Sequence, residues 1–255
     1  MSMIHLINAS CANQHVDVVV NAANDGLWEG GGICGVIFKK AGSSELAAAC
    51  RKYKTPLRDG DAVITPAFNM KNAKAIIHAV GPDFRVKKYA FKELYYAYYN
   101  SLCTLKDNGY HSIAFPLISS GIFGGKLKDP AAESTKQCLR AYACFTKDYP
   151  EYEIDVKLCA YTDKEMRSAQ AVFNRLDLND IDFDDFEKQC ESFIDNQSYD
   201  EYQAYVFRYL IESSWHYTPE RAVERMKEHA DWISECYAHK VPVLDCAVEV
   251  GYSCG

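Results

Sequence analysis

The stretch that decides the fold is Val16-Asp17-Val18-Val19-Val20-Asn21-Ala22-Ala23-Asn24-Asp25-Gly26-Leu27-Trp28-Glu29-Gly30-Gly31-Gly32-Ile33. Four valines in its first five residues make an almost continuous apolar run, which predicts a strand buried on both faces. Three adjacent glycines close the stretch, and without side chains their backbone can approach a ligand and present N–H groups to it. A helix predicted over 32–41 starts inside this glycine run, and its positive N-terminal end favours a phosphate. Asn21 and Asn24 add amide donors and acceptors suited to sugar hydroxyls. Read alone, the glycine run is equally compatible with a flexible turn.

Working outward, strand-like runs recur at 62–65, 75–80, 112–115 and 156–161, with 3–7 as an edge candidate. Helical patterns lie between them at 44–53, 89–107, 129–146 and 163–173. This alternation predicts an α/β domain with a mostly parallel central sheet and helices on both faces. In such sheets ligands bind at the carboxyl ends of the strands. A second loop, Phe115-Pro116-Leu117-Ile118-Ser119-Ser120-Gly121-Ile122-Phe123-Gly124-Gly125, follows the 112–115 strand. It should share a sheet edge with the first loop and grip the other side of a diphosphate.

Of the 255 residues, 48% are apolar and 25% charged, as in an ordinary globular protein. The net charge of −7 is uneven: residues 173–255 hold 18 acidic against 7 basic side chains, and the remainder is mildly basic. The basic part suits a polyphosphate ligand, and the acidic tail repels nucleic acid. The asymmetry predicts one domain over 1–175 and a small, acidic, all-α module over 176–255, with helices at 182–196, 199–213, 219–238 and 241–250. An unidentified protein partner is expected for this module. The eleven cysteines are scattered without a Cys-x-x-Cys pair, which points to reduced thiols in a cytoplasmic protein. Cys236-x-x-His239 with Cys246 and Cys254 has residue types that ligate zinc, but the second close pair is missing, and no metal or cofactor is expected. Neither a membrane span nor a secretory signal is predicted.

Val18-Val19-Val20-Asn21-Ala22-Ala23-Asn24 followed by Gly30-Gly31-Gly32 resembles the macrodomain signature. Ile77-His78-Ala79-Val80-Gly81-Pro82 is similar to the family's His-Thr-Val-Gly-Pro segment, and 113–124 resembles its second phosphate loop. The resemblance covers about 170 residues and implies a three-layer α/β/α fold that binds ADP-ribose, free or attached to a protein or nucleic-acid end. It implies that Asn24 holds the distal ribose and is the catalytic residue where there is catalysis, with Asn21 beside it. It further implies that Gly31, Gly32 and Ile33, with Cys34 next to them, serve one phosphate. Ser119, Ser120, Gly121, Ile122, Phe123 and Gly124 would surround the other. Tyr161 falls where the family often has an aromatic near adenine; an ordinary core tyrosine is the other reading.

Two departures matter. Where many members carry an Asp for adenine, this chain has Asn8-Ala9-Ser10-Cys11. Where one hydrolase branch has an Asp and a His after the glycines, this chain has Cys34 and Phe38, so both groups that could activate water are missing. Other branches also lack that Asp and act through an Asn and the substrate's own phosphate, a route open through Asn24. Three activities therefore fit: hydrolysis of mono-ADP-ribosyl or O-acyl-ADP-ribose linkages, ADP-ribose reading without turnover, and a dinucleotide-dependent oxidoreductase. The last rests only on Gly30-x-Gly32-x-x-Gly35, which lies nine residues beyond the strand, too far for that fingerprint.

Overall fold

The computed structural model describes residues 2–87, 90–175, 199–212, 218–239 and 246. The chain divides into two compact units, Met1–Ile181 and Asp182–Gly255. Among the described residues no helix is long and apolar enough to cross a membrane.

The first unit is built on six strands: β1 (Met3–Asn8), β2 (Val18–Ala23), β3 (Ala62–Pro66), β4 (Ala75–Val80), β5 (Ser112–Pro116) and β6 (Asp155–Ala160). Their order across the sheet is β1-β6-β5-β2-β4-β3. All pairs are parallel except the edge pair β3–β4, which runs antiparallel. The helices are α1 (Gly32–Ala41), α2 (Ser43–Cys50), α3 (Phe91–Asp107), α4 (Pro130–Asp148) and α5 (Asp163–Phe173). Side chains alternate across the sheet with a period of two. Val19, Ala23, Ile76, Val80 and Ala114 share one core with Ile37 and Phe38 of α1 and Leu46 and Cys50 of α2. The intervening Val18, Val20, Ile77 and Ile113 are equally buried, and α3 and α4, packed on each other, belong to the remaining layer of the α/β/α arrangement.

Local sequence sets the helix ends. Asp129 accepts a hydrogen bond from the Ala132 N–H with Pro130 in the first turn, so α4 begins where predicted. Thr162 and Glu165 form a reciprocal capping box at the start of α5. Gly109, at φ +70, follows α3 in the left-handed region that a glycine adopts without strain. Strand β2 differs from the predicted 16–20 run. It continues through Asn21, Ala22 and Ala23, which pair with His78, Ala79 and Val80 of β4. Asn21 therefore belongs to the sheet, not to the loop.

The second unit contains α6 (Tyr199–Glu212), α7 (Pro219–Glu228) and α8 (Ala230–Ala238). Tyr202, Val206, Leu210, Ala222, Ile233, Cys236 and Cys246 form its core. The helix predicted over 219–238 is two helices, because His229 leaves the helical region at φ −110, ψ 20. The helices predicted at 182–196 and 241–250 lie outside the described residues, apart from Cys246. Among the described residues no group of three His, Cys, Asp or Glu is placed to hold a metal ion. Cys236 and Cys246 instead lie in the apolar core, where burial pushes the Cys246 thiol up to about 12.

Candidate functional site

Three neighbouring parallel strands, β6, β5 and β2, end on the same sheet edge, and the segment that follows each carries a predicted site residue. The first loop, residues 24–31, joins β2 to α1. Gly31 is the N-cap of α1 and has no side chain to bond the first-turn N–H groups. A Cβ at Gly31 or Gly32 would meet nothing within 4 Å, so this backbone faces open space. Gly32 has φ +61, in the left-handed region. Gly35 serves packing: a Cβ there would lie 2.7 Å from the Gly30 carbonyl oxygen. The third glycine of the apparent dinucleotide fingerprint thus lets helix α1 approach its own loop.

Asn24 sits at the start of this loop, half-buried. Its Nδ2 donates to the Trp28 carbonyl at 2.9 Å, and its Oδ1 accepts from the Trp28 N–H at 3.1 Å. The reciprocal pair fixes the amide's orientation and leaves one N–H and one lone pair for other partners. Trp28 itself is 62% exposed, and its indole lies flat over Gly26, where a Cβ would meet ring carbons at 1.7 to 2.8 Å.

The sequence placed Asn21 and Cys34 beside the ligand; the structure buries both, at 1% and 4% exposure. Asn21 Nδ2 faces His78 Nδ1 at 3.1 Å and Cys34 Sγ at 3.7 Å. Burial pushes the Cys34 thiol above its ordinary value, and hydrogen bonds from Gly30 and Asn21 offset only part of that. A thiolate nucleophile is therefore disfavoured at this position. Burial pulls His78 down to about 4, so it is neutral at physiological pH. Phe38 lies in the core at 0% exposure.

The second loop joins β5 to α4 and is pinned at its base. Tyr98 Oη accepts from the Ile118 N–H at 2.8 Å and lies 2.6 Å from Ser134 Oγ, which donates to the Ile118 carbonyl at 2.7 Å. Ser119 takes φ 57 and donates to the Pro82 carbonyl at 2.8 Å. This draws in the segment after β4, where Gly81 is required: a Cβ would sit 2.4 Å from Ile118 and Ser119 side-chain atoms. Phe84 N–H donates to the Phe123 carbonyl, and the Arg85 guanidinium lies 5.4 Å from the Phe123 ring centre. Gly121 and Ile122 form the exposed tip, whereas a Cβ at Gly124 would collide with Pro130 at 2.7 Å.

Tyr161 follows β6 and is 74% exposed, so it is no core residue. Its N–H donates to Glu165 Oε2. Ser120 Oγ donates to the Leu117 carbonyl at 2.8 Å, within its own loop, and lies 3.4 Å from Glu165 Oε1. The carboxylate thus holds the Tyr161 backbone beside the second loop. Asn8 ends β1 in register with Ala160, on the same sheet edge as Tyr161. Sequence reading missed the supporting residues Tyr98, Ser134 and Glu165, and quoted Gly81 in a motif without its packing role. Only Glu165 carried a local signal, the Thr162-x-x-Glu165 capping box.

The Macro domain family model matches residues 20–134. An O-acetyl-ADP-ribose deacetylase of Escherichia fergusonii is 45% identical over 127 residues, 48% of this chain and 71% of the relative. A protein of the same name from Salmonella typhimurium is 38% identical over 151 residues, 58% of this chain and 82% of the relative. Among solved structures, the Oceanobacillus iheyensis macrodomain with ADP superposes with a TM-score of 0.61 at 28% identity, over 68% of this chain and 90% of that one. Residues 20–134 include both loops described above, and the chain belongs to the macro domain family.

Proposed function

We propose that residues 1–175 form an ADP-ribose-binding domain that hydrolyses O-acyl-ADP-ribose or mono-ADP-ribosyl linkages. The observation that carries this reading is Asn24, fixed by Trp28 on both sides of its amide at the edge of the uncapped α1 N-terminus. The first-turn N–H groups at Gly32 and Ile33, with Gly31, take one phosphate. Ser120, Gly121 and the turn Ile122–Gly124 take the other, with Ser119 shaping that loop from below. Tyr161 offers its exposed ring to adenine, and Asn8 the nearest side-chain oxygen on that side. The distal ribose lies against Asn24 and Phe123. Names of the relatives, O-acetyl-ADP-ribose deacetylase, support an ester as substrate.

In the ester reaction, water attacks the acyl carbon and the ribose oxygen leaves, giving a carboxylic acid and free ADP-ribose. Neither Cys34 nor His78 supplies a base, since one is a buried thiol and the other a buried imidazole of lowered proton affinity with both ring nitrogens facing buried partners. The free N–H and lone pair of Asn24 place the water and the sugar, and an oxygen of the bound diphosphate takes the proton. Positioning is the chain's main contribution.

The test is a hydrolysis panel covering O-acetyl-ADP-ribose and ADP-ribose on acidic residues, arginine, serine and nucleic-acid ends, with wild type and Asn24→Ala. Turnover that falls steeply to a residual rate in the variant supports the reading. Tight calorimetric binding of ADP-ribose without turnover of any conjugate supports a reader instead, the alternative favoured by the core placement of Cys34 and Phe38. Residues 176–255 form a separate acidic module that docks a protein partner, and the reduced cysteines fit a cytoplasmic chain.

A further inference from the structure

Beneath the first loop runs a line of buried polar groups that the proposed reaction does not use directly. Asn21 of β2 and His78 of β4 are register partners, and both point to the α1–α2 side of the sheet, as Val19 and Ile76 do. Asn21 Nδ2 donates to His78 Nδ1 at 3.1 Å. With the Asn21 amide in this orientation Nδ1 accepts and the imidazole proton is on Nε2, which lies 3.0 Å from Thr65 Oγ1 and 3.8 Å from Cys50 Sγ. Toward the cleft, the same amide donates to Cys34 Sγ at 3.7 Å. Cys34 Sγ also accepts the Gly30 N–H at 3.4 Å, and its S–H reaches the Trp28 carbonyl at 3.8 Å. That carbonyl is the one Asn24 Nδ2 holds at 2.9 Å.

We infer that Thr65, His78, Asn21 and Cys34 form a positioning relay that sets the orientation of Asn24. Cys34, Asn21, His78 and Thr65 are all 4% exposed or less, so none of them touches a ligand in the cleft. Asn21 Oδ1 has no hydrogen-bond partner, but its Nδ2 links the imidazole to the thiol, and in this dry setting breaking either link leaves a further polar group unpaired at a cost in free energy. The relay ends at the Trp28 carbonyl. Cys34 shares that carbonyl with Asn24, so the loop keeps its shape while the free N–H and lone pair of Asn24 meet the ribose. The sulfur at this position thus acts through loop geometry, not as a nucleophile. The inference rests on the catalytic reading of Asn24.

The experiment uses the full chain with Cys34→Ala, Cys34→Ser and Thr65→Val, each also combined with Asn24→Ala, and O-acetyl-ADP-ribose as substrate. Removing the sulfur should lower kcat about tenfold with KM changed less than about twofold, because the lost interaction orients but does not bind. Cys34→Ser keeps an acceptor and a donor and should recover most of the loss. Thr65→Val, nearly isosteric and at the far end, should lower kcat about threefold and keeps the test alive if Cys34→Ala does not fold. In the Asn24→Ala background these changes should have no further effect on kcat. Effects that persist undiminished there, a serine variant as impaired as alanine, or unaltered kcat in both Cys34→Ala and Thr65→Val would overturn the relay. If wild type shows no turnover, the catalytic reading fails separately. The same cycle is then read on ADP-ribose affinity, where coupling to Asn24 supports the relay and additivity overturns it.

Discussion

Tyr98→Phe removes a single oxygen atom from the base of the second loop, and its cost can be worked from the structure. The hydroxyl accepts the Ile118 N–H at 2.8 Å and lies 2.6 Å from Ser134 Oγ and 3.3 Å from the Pro116 carbonyl, and Ser134 Oγ donates to the Ile118 carbonyl at 2.7 Å. Ile118 is 1% exposed and Tyr98 0% exposed, so water cannot replace the lost partner. The ring, packed 5.1 Å from Phe115, stays in place in the variant. The loss is one buried hydrogen bond plus an orphaned backbone donor, together about 2 to 3 kcal/mol. For a domain of this size that corresponds to a melting temperature lower by about 4 to 10 °C. Ser119 and Ser120 lie directly beyond Ile118, so ADP-ribose affinity should also fall, by about five- to tenfold. Denaturant unfolding, calorimetry and hydrogen exchange at the Ile118 amide read these effects. Ser134→Ala should cost less on top of Tyr98→Phe than alone, because the two hydroxyls share one network. A stability change below about 0.5 kcal/mol with the Ile118 amide still protected would refute the idea that this hydroxyl holds the loop.

Two further outcomes are expected. His78 has its folded value pulled to about 4 by burial, below the ordinary 6.5, so the unfolded chain binds the extra proton between those limits. Its stabilising contribution is fully present above pH 6.5 and is lost as pH falls toward 4, by up to about 3 kcal/mol. Urea unfolding across that range should show the slope in wild type and a shallower one in His78→Gln; equal slopes would count against it. Gly32→Ala should cost about 1 kcal/mol through its φ of +61, whereas Gly31→Ala, in extended backbone with the same open surroundings, should stay within about 0.5 kcal/mol. Thermal melts of the two variants make that comparison, and equal losses would argue against backbone strain as the cause.

What was legible in the sequence was whatever short-range pattern encodes. The valine run and the two glycine loops gave the strands and the sheet edge at which they end, because burial on both faces and close backbone approach leave their mark in consecutive residues. The cap at Asp129 was equally local. Strand direction is not local: nothing within 62–65 distinguishes an antiparallel edge strand from a parallel one. The break at His229 carries no Gly or Pro to announce it. Asn21 was read as a loop residue because it adjoins Asn24 in a polar motif. Its place in β2 is set by pairing with β4, some fifty-seven positions along the chain. Tyr98 and Ser134 escaped for the same reason, since each matters through a partner far away in sequence.

Cys34 shows what the motif comparison alone could not supply. The missing carboxylate reads as a missing base, and the natural thought is that restoring it restores activity. The surroundings argue otherwise. Position 34 faces two donors, Gly30 N–H and Asn21 Nδ2, and one acceptor, the Trp28 carbonyl. A thiol satisfies all three, because sulfur accepts and S–H donates. An ionised carboxylate would only accept, and would set negative charge against the Trp28 carbonyl in a site with 4% exposure. That carbonyl also holds Asn24, so the disturbance would reach the residue on which the proposed chemistry rests. With Phe38 one helical turn further along α1 and wholly buried, no imidazole could assist without opening the core. The pocket under the first loop is thus matched to a neutral group that both donates and accepts, which is why the proposed hydrolysis is assigned to Asn24 and not to position 34.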